Sequence, residues 1–173
     1  MIKSLLFAAL ILVSQVAYSY TLDITEADIQ EKVSAIMPIE KTKFFMRVKL
    51  SEPKVDLLKT GNRMALHLNV ETSIPNVVKG SGRGKVSGNL NYDASEGAFY
   101  FKDAKLEEME VNGLSQKYTD KVKKIAEAIL AKALSKYPVY KFTDKDVKQK
   151  IAKSTLQSLE VRDEVLFVTL GLF

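Results

Sequence analysis

One stretch constrains the fold more than any other: residues 112–138 carry the pattern of a single long amphipathic helix. Leu114, Tyr118, Val122, Ile125, Ile129, Ala133 and Tyr137 recur at steps of three or four, and Ala126, Leu130 and Leu134 widen the stripe. Lys117, Lys121, Lys123, Lys124, Lys132 and Lys136 fall mostly off it. This spacing puts a broad apolar face on one side of a helix and a cationic face on the other. Gly113 precedes the stretch and Pro138 stops it, because proline disfavours helical geometry in the residue before it. At 1.5 Å per residue the helix spans roughly 35 Å, about the width of a small domain. The rest of the chain must therefore cover that face.

The N-terminus sets the compartment expected for the chain. Lys3 precedes an apolar run from Leu5 to Val13, then polar Ser14 and Gln15, then small residues at Ala17 and Ser19. This is the layout of a secretory signal peptide, residues 1–19, cleaved before Tyr20, with residues 20–173 as one domain. The alternative is retention as an anchor, but the apolar run is about half of the roughly 20 residues a span needs. The chain has no cysteine. An exported domain without disulfides must be held by its hydrophobic core, and there is no N-terminal cysteine to carry a lipid. The expectation is a soluble periplasmic protein. A net charge of +5, with charges interspersed, suits either plain solvation or a domain facing anionic head groups.

Along the chain, Tyr20 to Ile24 predicts a short strand. Thr25 with Asp28 predicts a capped helix through Ile29, Val33 and Ile36, ended by Pro38. The period then changes to two: Phe44, Met46, Val48 and Leu50 alternate with Phe45, Arg47, Lys49 and Ser51, as in a half-buried strand. Pro53 breaks it, and extended character resumes from Val55 to Leu58 before a turn at Thr60-Gly61-Asn62. Met64, Leu66, Leu68 and Val70 give the clearest alternation. Val86, Leu90 and Tyr92 share a face of a glycine-punctuated strand, and Asp93 to Gly97 is a turn into further strands through Phe101 and Leu106 to Val111. After the long helix, Thr143 with Asp146 opens a second short helix. Ser154 to Phe173 reads as a terminal hairpin turning near Arg162-Asp163-Glu164. The expected fold class is α+β: a strongly curved antiparallel sheet wrapped around one long helix, with two short helices.

Chemistry-bearing patterns are weak. Gly80 to Val86 has the wrong glycine spacing for a phosphate loop and no hydroxyl after Lys85; glycines admitting a close backbone approach are the better reading. His67 is the sole histidine and has no cysteine to join it in a zinc site. Glu107, Glu108 and Glu110 lack the spacing of a calcium loop, and no serine elbow is present. Lysines near the long helix are interrupted by Asp120 and Glu127, unlike a nucleic-acid stripe. The chain reads as a non-enzyme with no cofactor, metal or nucleic-acid partner. The apolar inventory supports either an ordinary core or a slot for an acyl chain between helix and sheet.

Several motifs in order carry a resemblance. These are Tyr20-Thr21-Leu22-Asp23-Ile24-Thr25-Glu26 entering a helix that ends at Met37-Pro38; Leu50-Ser51-Glu52-Pro53-Lys54-Val55-Asp56-Leu57; and Gly84-Lys85-Val86-Ser87-Gly88-Asn89-Leu90-Asn91-Tyr92-Asp93. Ala98-Phe99-Tyr100-Phe101-Lys102-Asp103 and Tyr137-Pro138-Val139-Tyr140-Lys141-Phe142 complete the set. The chain thereby resembles the YceB-like bacterial envelope proteins of unassigned function. The resemblance implies a fold similar to the tubular lipid-binding (TULIP) superfamily, whose members hold apolar ligands between a long helix and a curved sheet. It supplies no catalytic residues. The family's better-known members are lipoproteins, and this chain departs from them in having no cysteine to acylate.

The expected function is an exported binding protein for a lipid or other hydrophobic small molecule. The groove would be lined by Tyr118, Val122, Ile125, Ile129 and Leu130 from the helix, facing Met46, Val48, Leu66, Leu68, Leu90 and Tyr92 from the sheet. The alternative is an envelope structural or protein-interaction module with a filled core, touching the membrane surface or an envelope protein.

Overall fold

Alternation of apolar and polar residues dominates this chain more than helical periodicity does. The computed structural model describes residues 18–143 and 156–172. Within them the elements are β1 (Tyr18–Thr25), α1 (Glu26–Ala35), β2 (Ile39–Lys43), β3 (Met46–Leu58), β4 (Arg63–Ile74), β5 (Val78–Asp93) and β6 (Ala98–Asn112). These are followed by α2 (Gln116–Lys136), β7 (Tyr140–Lys141), β8 (Leu156–Arg162) and β9 (Val165–Leu172). The short helix expected after Thr143 lies outside the described residues, as do residues 1–17 of the expected signal segment; Tyr18 and Ser19 belong to β1.

The expected fold class is corrected. The described residues are mainly β, with 59% in strands and 22% in helices, and among them no single sheet wraps one long helix. The strands form two sheets: a three-stranded one ordered β1-β9-β8 and a six-stranded one ordered β2-β3-β4-β5-β6-β7. Periodicity shows that a helix has an apolar face; it does not show which strands share a sheet. Here the terminal hairpin pairs antiparallel with the opening strand, Leu22 opposite Val168 and Ile24 opposite Leu166, instead of extending the larger meander.

Local choices explain the elements. Thr25 caps α1 as anticipated: its Oγ1 accepts from the Asp28 N–H at 3.2 Å, and Asp28 Oδ2 accepts from the Thr25 N–H at 2.9 Å. This satisfies two backbone groups that the first helical turn leaves without partners. Pro53 does not end β3. The strand runs through it with a register irregularity between Ser51 and Lys54, and α1 supplies what the ladder lacks there. Gln30 Nε2 donates to the Pro53 carbonyl at 2.6 Å, while its Oε1 accepts from the Val55 N–H at 2.8 Å. A polar side chain thus completes backbone pairing at a bulge. In β5, a methyl group on Gly82 would collide with the Glu110 carbonyl of β6, so that glycine serves close approach, whereas one on Gly84 would meet only ordinary contacts.

One apolar cluster unites both sheets and both helices, from Ile24 and Leu166 in the small sheet to Leu66 and Phe101 in the large one. Helix α2 lies chiefly against β6, with further contact to β2 and β3. Its Val122, Ile125, Ala126, Ile129, Leu130 and Leu134 are all buried.

Candidate functional site

The side chains expected to line a groove are brought together in one buried cluster. Val48, Leu66 and Val122 are fully buried, and Met46, Leu68, Leu90, Ile129 and Leu130 are nearly so. The most accessible of the buried set, Ile125, keeps 7% of its surface. Tyr118 and Tyr92 are partly buried and pack against the same cluster. Leu68 and Tyr92 also border clefts of about 770 and about 550 Å³, but their neighbours there are polar: His67, Arg83 and Glu108 at the first, Asp93, Tyr100 and Lys102 at the second.

The polar clusters offer little chemistry. His67 Nε2 stands 3.8 Å from Asp56 Oδ2 on the outer face of the large sheet, both side chains close to half exposed. Among the described residues no group of three or more histidine and acidic side chains is placed to hold a metal ion. Ser87 is buried and donates to Glu107 while accepting from Arg63 Nη2 at 2.6 Å. The hydrogen bond from Ser87, together with the charges of Lys85 and Arg63, holds Glu107 below the usual glutamate range. The network ties β4, β5 and β6 where the register of β5 against β6 shifts between Lys85 and Asn89.

The unexpected feature lies at one end of the large sheet. Strands β2 and β3 pair with Lys43 opposite Met46, leaving Phe44 and Phe45 as a two-residue hairpin loop. Both have positive φ, 50° and 61°. That is the twist a right-handed hairpin needs, and the sequence preferred there is Asn-Gly. A bulky residue in the left-handed region costs roughly 1–2 kcal/mol, so the pair is an outlier that points to a role. The terminal hairpin makes the same kind of turn with Asp163 and Glu164 at φ 48° and 63°, residues that solvent favours.

Neither ring is sheltered. Phe44 is 80% exposed and Phe45 85%, although burying each would contribute about 1.5–3 kcal/mol. The neighbouring hairpin tip, between β4 and β5, exposes Val77. Arg47 beside the first tip pairs with Ser73 beside the second, so both project from the same end of the sheet. Three of the four exposed large apolar side chains among the described residues sit there; the fourth is Tyr137. Cations surround them. From Ile39 to Leu50 the chain carries Lys41, Lys43, Arg47 and Lys49 against the single acid Glu40. Lys43 Nζ lies 5.2 Å from the centre of the Phe44 ring, Arg47 pairs with Glu40 at 3.3 Å, and Lys79 is exposed at the start of β5. Below the tips an open polar cleft of about 740 Å³ runs between Arg47, Lys49, Glu71, Lys79 and Asn112.

The alternation of Met46, Val48 and Leu50, continued back to Phe44, assigns that ring to the apolar face of a strand. The structure corrects this: the alternation starts at Met46, and Phe44 and Phe45 are the turn. One signal was available, since two adjacent phenylalanines cannot both face inward from one strand.

Comparison with known proteins places the chain without assigning it a task. No curated protein matches the sequence. Among solved structures, the crystal structure of P47 of Clostridium botulinum E1 is similar at 11% identity and a TM-score of 0.46, over 78% of this chain and 36% of that one. The chain thus spans little more than a third of P47, and a likeness of that degree carries no functional argument. No described helix is long and apolar enough to cross a membrane. A family model described as "Protein of unknown function (DUF1439)" matches residues 24–164, and the chain therefore belongs to the DUF1439 family.

Proposed function

We propose that this chain is an exported, non-enzymatic binding module that works through the tip of its large sheet and not through an internal groove. The observation that carries the reading is the exposed Phe44–Phe45 pair, held in a turn geometry that phenylalanine disfavours. Contiguous exposed apolar side chains rimmed by polar ones mark contact surfaces. A turn that sacrifices both local stability and burial is retained when something else contacts it. The YceB-like resemblance and the signal-like N-terminus support a setting in the bacterial envelope. The dense burial of Val122, Ile129, Leu66 and Leu90 supports a filled core over a lipid slot between helix and sheet.

The test is site-specific photo-crosslinking in intact bacteria, with a benzophenone amino acid at position 45 or, as a control, at the exposed Asp103. Adducts at 45 in clear excess over 103 support the reading; equal yields at the two positions sink it.

A further inference from the structure

Resting on that reading, we infer that the contact surface is built for an anionic lipid bilayer, with Phe44 and Phe45 as the inserting wedge. Three features of the tip fit this partner. The two rings stand at the end of a protruding hairpin, 80% and 85% exposed, so they can enter an acyl boundary without unfolding anything. Phenylalanine is among the residues that interfacial segments bury at the boundary of head groups and acyl chains, where the wholly apolar ring leaves water. Val77 on the adjacent tip adds a second apolar point, so insertion fixes the sheet end-on instead of leaving it to pivot on one loop. The charges behind the wedge are cationic on balance: Lys41, Lys43, Arg47, Lys49 and Lys79, with Glu40 and Glu71 as the opposing acids. Lysine and arginine heads stay in the head-group layer while their stems follow the apolar surface down, and each is drawn to anionic lipid within a screening length. A protein pocket could take two phenylalanines, but it would not by itself call for a collar of this sign.

The chain contains no tryptophan, which makes the experiment clean. The full-length Phe45→Trp variant carries one tryptophan at the tip. It is mixed with vesicles of phosphatidylcholine alone, or with about a third phosphatidylglycerol, enough for a substantial negative surface potential. Insertion shifts the emission to the blue, brings quenching by lipids brominated on the acyl chain, and is stronger on the anionic vesicles and weaker at high salt. In parallel, sedimentation with vesicles compares the parent with F44N/F45G, whose loop has the residues the turn prefers and therefore folds. Both proteins carry the same N-terminal segment, so the difference between them belongs to the tip. A loss of about tenfold or more in partition is expected when two aromatic anchors are removed. An unshifted, unquenched tryptophan, or equal partition of F44N/F45G, overturns the bilayer assignment. Crosslinking at position 45 then separates the two readings: protein adducts leave the contact surface standing with a different partner, and the absence of adducts removes both.

Discussion

The two ends of the six-stranded sheet use the same side chain in opposite ways. At the end holding the β5–β6 turn, Phe99 and Phe142 are buried. Their rings meet Tyr92 and Tyr140 at centroid separations of 5.0 to 6.4 Å. The Val139 and Phe142 N–H groups close that end by donating to the Phe99 and Gly97 carbonyls, each at 2.9 Å. At the end holding the β2–β3 and β4–β5 turns, Phe44 and Phe45 touch little but solvent and the charge of Lys43. One end spends its aromatics on stability, while the other leaves them outside in a strained turn. The contrast teaches that the apolar inventory of a chain is not the inventory of its core.

That contrast makes predictions that can be ranked. The largest effect belongs to the buried end: Phe99→Ala should cost about 3–5 kcal/mol through lost transfer energy and a cavity among the three remaining rings. Phe45→Ala should stay within about 0.5 kcal/mol of the parent, as surface substitutions do. Urea unfolding of the two variants beside the parent checks both, and similar losses would erase the distinction. Next comes Ile125→Trp in the helix face. Overpacking a closed core destabilises by about 1–3 kcal/mol, whereas a roomy groove absorbs the ring with no shift in midpoint. Third, F44N/F45G should raise stability by about 1–2 kcal/mol through relief of the left-handed phenylalanines; an unchanged or lower midpoint would show that the pair is not strained.

The smallest effect concerns pH. Glu107 has a folded-state pKa below its unfolded value, owing first to the Ser87 hydrogen bond. Its contribution is therefore present above the ordinary glutamate range and lost as pH falls through the depressed value. Glu107→Gln should flatten the acid limb of the stability profile slightly, the carboxylate being partly exposed and screened. An acid limb as steep as the parent's would place the dependence elsewhere.

The sequence was legible wherever local chemistry decides. Thr25 and Asp28 announced their capping box, and Met64 to Val70 announced one buried face of β4. Asp163 and Glu164 announced the terminal turn, and the 112–138 stripe announced α2 and its buried residues. What stayed hidden is non-local or contrary to propensity. Nothing in Leu22 or Val168 says that β1 and β9 will pair across nearly the whole chain, so two sheets were read as one. Phe44-Phe45 carries none of the residues that mark a tight turn; the alternation ran straight through it and the best candidate surface was counted as core. The Ser87, Glu107 and Arg63 network likewise joins three strands that only the pairing register brings together.

The central claim, contact through the tip and not through a groove beside the long helix, is tested most directly by brominated-lipid quenching of a single tryptophan placed in turn at two positions. Phe45→Trp reports the tip, and Tyr118→Trp reports the partly buried N-terminal end of the α2 apolar face. Strong quenching at 45 with none at 118 is the predicted result. Quenching at 118 with none at 45 would contradict it and return the apolar ligand to the space between helix and sheet.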